Sequence, residues 1–239
     1  MKFTCVIPAR AKSSRFPDKP LALINGKPMI LWIIENANKS KFIKKAIVAT
    51  DDSRIFDLVN MAGYEAVYTS PECPNGTERV AEVASRVSDE YIFEMQGDQP
   101  LVTADVIDNF ITDAVAAIES DSGIDVVIPF AEATEEQTAS PDVLKVVVSS
   151  NNRLLFQTRH PIKTNFRTLG LYLWKNESLQ RFAQLPVSNI EKAEDSHPIR
   201  LYVNDFCVKG VKNEDSNWVE VDRPEQIQQV EEIMKQRGL

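Results

Sequence analysis

The sequence predicts an α/β fold: a mostly parallel sheet flanked by helices, with a smaller lobe inserted in the second half. Three observations predict it. Short apolar runs alternate with helix-period segments from Phe3 to about residue 130, the pattern of strands covered by helices on both faces. Beyond residue 130, the strand-like runs 144–148 and 153–156 lie close together with Asn151-Asn152 between them, as in a hairpin. The chain has 239 residues, 43% of them hydrophobic, enough for one large domain or a domain plus a small lobe. No internal repeat, low-complexity segment or linker interrupts it. We therefore expect one compact unit over residues 1–239, with the lobe at about 135–205.

The elements follow in order. Residues 3–7 read as a buried first strand that stops at Pro8. Residues 21–24 are a short extended piece, and Asn25-Gly26 is a turn dipeptide. Pro28 opens a helix with Met29, Trp32, Ile33 and Ala37 on its apolar face. Residues 45–50 are a strand, and Asp51-Asp52-Ser53 can cap the helix after it. That helix carries Ile55, Leu58, Val59 and Ala62, and Gly63 ends it. Residues 65–68 form a third strand, and 69–76 a loop rich in Pro, Asn and Gly. A helix begins at Thr77, with Val80, Val83, Ala84 and Val87 as its stripe. Strand 91–95 ends at Gln96-Gly97-Asp98-Gln99-Pro100. The next helix shows 3.6 spacing at Ile107, Phe110, Ile111, Ala114 and Ile118, and 125–129 is a buried strand. In the second half we expect a strand at 169–174, a helix at 178–183 and a strand at 200–208. Asp222 and Glu225 cap a terminal helix that turns Ile227, Val230 and Ile233 inward.

Composition narrows the function. The net charge is −8, which argues against a general nucleic-acid or membrane-surface binder, since both need a broad basic face. Cys5, Cys73 and Cys207 are odd in number and widely spaced, so neither a disulfide framework nor a zinc site is indicated. The N-terminal apolar run is too short for a signal peptide, and no segment approaches the length of a membrane span. A soluble, cytoplasmic protein without membrane insertion is expected.

Against that acidic background, Arg10, Lys12, Arg15 and Lys19 crowd into the loop after the first strand, which Pro8, Pro17 and Pro20 stiffen. Cations and rigid backbone N–H groups at the carboxyl edge of a sheet suit phosphate oxygens; an ordinary solvated loop is the alternative. The loop lacks G-x-x-x-x-G-K-[ST], so it is no Walker P-loop. Asp98 lies just past a strand end, where a carboxylate either holds Mg²⁺ against a polyphosphate or caps the turn before Pro100. Asp222 is open to a metal role or to the capping box with Glu225. The Asn75-Gly76-Thr77-Glu78-Arg79 junction offers backbone donors and the Thr77 hydroxyl to a ligand, or is a helix start with Thr77 as its cap.

The order of these motifs says more than any one of them. I-P-A-R-x-x-S-S-R-F-P-x-K-P-L, I-N-G-K-P-M-I, V-A-T-D-D, N-G-T-E-R, Q-G-D-Q-P and V-D-R-P-E occur in that succession. The series resembles the CMP-Kdo synthetases, the 3-deoxy-manno-octulosonate cytidylyltransferases. The resemblance runs from Phe3 to the terminal helix, densest over residues 6–102 and thinner after about 150.

It implies a Rossmann-like, nucleotide-diphospho-sugar transferase-like fold, a homodimer, and the use of CTP and Mg²⁺. The anomeric hydroxyl of the sugar acid would attack the α-phosphate of CTP, and pyrophosphate would leave. By match to the family motifs, Arg10 and Lys19 bind the triphosphate. Pro8, Ala9, Gly76, Thr77, Glu78, Arg79 and Gln96 line the nucleoside and substrate pocket. Asp98 and Asp222 bind magnesium, and with Arg10 and Lys19 form the catalytic set. The acceptor side takes Gln96, Arg159, Thr168, Tyr172 and His197. Kdo would place the reaction in lipopolysaccharide or capsular polysaccharide synthesis.

The sequence departs from the family pattern in places. Thr168 stands where the family has a histidine, and His197 where it has a glutamate three residues before an arginine, here Arg200. Asn75 replaces a serine and Gln99 a glutamate. The departures at 168 and 197 fall on the sugar side, so another ulosonic acid, such as an amino-modified Kdo, is an alternative acceptor. A nucleotide-sugar-dependent glycosyltransferase is a second alternative, although Thr50-Asp51-Asp52-Ser53 lacks D-x-D spacing.

Overall fold

The computed structural model describes residues 1–12, 15–213 and 219–238. Ser13 and Ser14 of the opening motif lie outside the described residues. The chain divides into two compact units, one made of Met1–Asn109 with Asn217–Leu239 and the other of Phe110–Ser216.

The first unit runs β1 (Phe3–Ala9), a 3-10 turn (Lys19–Leu21), β2 (Leu23–Ile24), β3 (Lys27–Pro28), α1 (Met29–Lys39), β4 (Ile43–Thr50), α2 (Ser53–Met61), β5 (Glu65–Tyr68), α3 (Gly76–Ala84) and β6 (Tyr91–Met95). Its main strands lie in the order β5-β4-β1-β6, all parallel. Every residue of β1 is buried, as expected for a central parallel strand covered on both faces. Pro8 stands opposite Ala49, Ala9 opposite Thr50, and Thr50 opposite Tyr68. This register brings the carboxyl ends of β1, β4 and β5 to one edge. The chain leaves β1 toward β4 on one side and returns to β6 on the other, so a topological switch point lies between β1 and β6, where open α/β sheets bind ligands.

The chain passes into the second unit within α4 (Ala104–Ser120). There follow β7 (Val126–Glu132), α5 (Glu135–Ala139), β8 (Lys145–Val148), β9 (Leu154–Thr158), β10 (Phe166–Thr168), β11 (Leu171–Lys175), α6 (Asn176–Gln184), α7 (Asn189–Glu194), α8 (Ile199–Val203) and β12 (Val208–Lys212). β7 pairs antiparallel with β10 and β11 and parallel with β12. The hairpin at Asn151-Asn152 forms between β8 and β9, with Asn152 at φ 60°, a conformation asparagine tolerates. α9 (Glu225–Arg237) closes the chain in the first unit and buries Val230 and Met234.

Three local expectations are corrected. The strand expected at 200–208 is instead α8 followed by β12. Arg200 is fully buried and grips Glu191 of α7 with two nitrogens at 2.8 and 2.5 Å. Asn204-Asp205, with Asp205 at φ 56°, turns the chain where a continuous strand was expected. α3 is capped by Asn75, whose side chain accepts from the Glu78 N–H at 3.0 Å, and not by Thr77. α9 begins at Glu225 after Pro224, so Asp222 is not its cap. The Gln226 side chain instead accepts the Asp222 and Arg223 N–H groups at 2.6 and 2.8 Å.

Candidate active site

The carboxyl edge of the first unit is assembled by backbone constraints. Gly97 follows β6, and a β-carbon there would sit 2.5 Å from the Pro8 carbonyl oxygen, so only glycine lets the ends of β1 and β6 approach so closely. At Gly76 a β-carbon would lie 3.2 Å from Gln96 Oε1 and 3.2 Å from Pro8 Cγ. Pro8, Gly76 and Gln96 therefore meet beside the switch point, the first N–H groups of α3 among them. Ala9 is buried next to them.

The basic loop returns to this edge through local bonds. Asp18 takes a left-handed conformation at φ 57° and donates its N–H to the Ala11 carbonyl at 2.9 Å. Its carboxylate holds Arg54 at 2.6 Å. Lys19 then starts the 3-10 turn and sends its ammonium to Asp98 at 2.9 Å and Asp222 at 3.3 Å. Asp222 arrives because the Val221 N–H donates to the Asp98 carbonyl at 3.0 Å. Arg15 adds a second cation 3.4 Å from Asp222. Burial pushes the Lys19 ammonium down, but the charges of Asp98 and Asp222 and the hydrogen bonds to them outweigh it, so the net shift is upward. Arg10 is exposed and makes one long bond, 3.4 Å, to the Pro74 carbonyl.

Two carboxylates that converge on one cation define a place for positive charge. Hard oxygen donors of this kind fit a divalent ion such as Mg²⁺, which commonly takes one or two protein carboxylates and completes its shell with water and phosphate oxygens. Among the described residues no group of three or more His, Cys, Asp or Glu side chains is placed to hold a metal. A pair shared with a polyphosphate is the arrangement this donor set suits.

Other expected residues take different positions. Thr77 is buried and donates its hydroxyl to Glu94 at 2.7 Å. The Glu78 side chain accepts from the Asn75 amide at 3.2 Å. Arg79 is 2% exposed, bonded to the Thr69 hydroxyl and 3.4 Å from Asp51, so its guanidinium ties α3 to the ends of β4 and β5. In the second unit, Thr168 is buried in β10 with its N–H on the Leu144 carbonyl, and Tyr172 is buried in β11, stacked 6.0 Å from Trp174. Arg159 gives its guanidinium to the carbonyls of Asp142 at 2.9 Å and Asp195 at 3.2 Å. His197 lies half-buried in the turn before α8.

The structure adds residues that sequence reasoning missed. Glu94, fully buried on β6, accepts from Thr77 and Gln96; a lone carboxylate within the apolar run 91–95 was the available signal. Glu194 accepts the Thr158 hydroxyl at 2.7 Å and the Arg159 N–H at 3.0 Å. Lys145, wholly buried, donates to the carbonyls of Ser140 and Arg159. Burial and the neighbouring Arg159 charge push its ammonium down. Nothing in the local sequence marks Glu194 or Lys145, because their partners come from other elements.

Comparison with known proteins agrees with this layout. A cytidylyltransferase family model matches residues 4–236. The 3-deoxy-manno-octulosonate cytidylyltransferase of Leptospira biflexa serovar Patoc is 37% identical over 98% of this chain and 97% of its own. That of Geotalea daltonii is 34% identical over the full length of both chains. A solved structure of a CMP:2-keto-3-deoxy-manno-octonic acid synthetase complexed with CTP covers 99% of this chain and 100% of its own, at 29% identity and a TM-score of 0.89. With its parallel first unit, its switch-point edge and these full-length matches, the chain belongs to the cytidylyltransferase family, in the branch of the 3-deoxy-manno-octulosonate cytidylyltransferases.

Proposed function

We propose that this chain transfers CMP from CTP to the anomeric hydroxyl of 3-deoxy-manno-octulosonate (Kdo), releasing pyrophosphate. The observation that carries this reading is the convergence of Lys19, Asp98 and Asp222 at the carboxyl edge of the first unit, in a chain of this family. Nucleotidyl transfer needs positioning and charge neutralisation more than a protein nucleophile. Arg10 and Lys19 bind the triphosphate and offset the charge that gathers on the leaving pyrophosphate. Pro8, Ala9, Gly76, Thr77 and Gln96 form the nucleoside wall, and Arg79 holds α3 in place behind it. Asp98 and Asp222 would hold Mg²⁺, which neutralises phosphate charge when bound. Gln96 of the first unit serves the acceptor; by match to the family motifs, Arg159, Thr168, Tyr172 and His197 of the second unit are assigned to the acceptor as well. The 135–205 portion is an acceptor and dimerisation lobe, and the working protein is a cytoplasmic homodimer serving lipopolysaccharide synthesis.

A second reading keeps the reaction and changes the acid to an amino-modified or other 3-deoxy-ulosonate. Thr168 and His197, in place of the family's histidine and glutamate, favour it. One assay separates the two: pyrophosphate release from CTP and Mg²⁺ with a panel of ulosonic acids. Release with Kdo as the best acceptor is expected. Release only with another acid would move the assignment to that acid, and no release with any acid would overturn the enzyme reading.

A further inference from the structure

Glu94 is the penultimate residue of β6 and has no exposed surface. Residues two apart on a strand share a face, so Glu94 and Gln96 point the same way. The Glu94 carboxylate accepts the Thr77 hydroxyl at 2.7 Å and the Gln96 side-chain nitrogen on the same oxygen, Oε1. That oxygen accepts both bonds, and an amide has one donating end and one accepting end. With its nitrogen on Glu94, Gln96 must turn its oxygen the other way. That oxygen lies against Gly76, where a β-carbon would come within 3.2 Å of it and of Pro8 Cγ. These are the residues of the proposed nucleoside wall.

We infer that Glu94 is a positioning residue that fixes the polarity of Gln96, so that the wall shows a carbonyl oxygen and selects a ligand group that donates a hydrogen bond. The inference rests on the proposed function, in which Gln96 lines the substrate pocket. The donor is either the exocyclic amine of cytosine or a hydroxyl of the sugar acid. Uracil carries an accepting oxygen where cytosine carries its amine, so a fixed Gln96 facing the base would also reject UTP. A misdirected or unpaired polar group in a buried site is costly, which gives the arrangement its leverage.

The test is Glu94→Gln, a change that keeps shape but allows Gln96 to turn over. In steady-state kinetics KM is expected to rise about tenfold for one substrate, with kcat within about threefold of the parent, a cost of about 1.4 kcal/mol in binding. A rise for CTP with a narrowed CTP-over-UTP preference identifies the base as the donor; a rise for the sugar acid alone identifies its hydroxyl. The double variant Glu94→Gln/Gln96→Glu reverses the 94–96 bond, with the donor now at 94, and returns an accepting oxygen toward the ligand. It is expected to recover most of the lost KM, a rescue that a purely structural Glu94 would not give. It also serves if the single variant folds poorly. Gln96→Ala separates the two levels of the reading. If Gln96→Ala raises a KM tenfold while Glu94→Gln leaves both KM values and the nucleotide preference within twofold, the role of Glu94 is overturned and the pocket stands. If the double variant binds no better than Glu94→Gln, the role of Glu94 is likewise overturned. If Gln96→Ala changes neither KM, the placement of Gln96 in the pocket fails, and the inference with it.

Discussion

At the scale of single residues, the site turns on side chains whose neighbours are distant in sequence. Lys19 meets Asp98 across 79 positions and Asp222 across 203. The pair is only partly shielded, with Lys19 14% and Asp98 23% exposed at the side chain, so its share in folding is of the order of 1 kcal/mol or less. In the proposed reaction its share would be larger, because preorganised charge at a reacting centre is worth about 10²–10³ in rate. Asp98→Asn is therefore expected to cut kcat at least about a hundredfold while shifting the denaturant midpoint little. Steady-state assay beside urea unfolding checks this; equal losses in both would make Asp98 a structural residue. The sequence made Asp98 visible as a carboxylate past a strand end. Asp222 was ambiguous, since the same letters spell a capping box. In the structure its carboxylate goes to Lys19, while Gln226 takes the backbone N–H groups of Asp222 and Arg223 ahead of α9.

At the scale of elements, periodicity read the parallel half well. β1, β4, β5 and β6 stand where apolar runs end in turn residues, and α1 buries Met29, Ile33 and Ala37 of its expected face. Reading failed at α8, where a strand was expected over 200–208, because alternation in that stretch mimics a strand. A buried ion pair overrides it: Arg200 and Glu191 are 0% and 7% exposed at the side chain, and Arg200 also lies 4.7 Å over the Phe182 ring. Removing one member of such a pair leaves an uncompensated buried charge. Glu191→Gln is expected to destabilise the protein by about 3 kcal/mol, read as a fall in denaturation midpoint, with loss of helical circular dichroism at lower denaturant than in the parent.

At the scale of the molecule, the second unit carries exposed apolar side chains. Val147 of β8, Leu155 of β9 and Val203 of α8 are 38%, 51% and 45% exposed, and β9 ends the strand path of its sheet. Exposed apolar groups on an edge strand invite pairing. For the proposed homodimer, Leu155→Lys is expected to shift the species seen by light scattering from two copies of the 26.9 kDa chain toward one. An unchanged mass would place the dimer contact elsewhere. No helix among the described residues is long and apolar enough to cross a membrane.

The sequence by itself determined the α/β class, the strand and helix order of the first half, and the family, because those rest on local periodicity and on motifs carried within single loops. Only the tertiary structure decided which partners those residues take. It turned Asp222 from a helix cap into a carboxylate facing Lys19, buried Arg79 against Asp51 and Thr69, and gave Gln96 its orientation through Glu94. The physical reason is common to the first two, since Glu94 and Gln96 are neighbours on one strand end and there the structure decided only which end of the amide meets the carboxylate. Hydrogen bonds and ion pairs between distant segments depend on where the sheet brings its strand ends, and no pattern along one stretch of chain encodes that meeting.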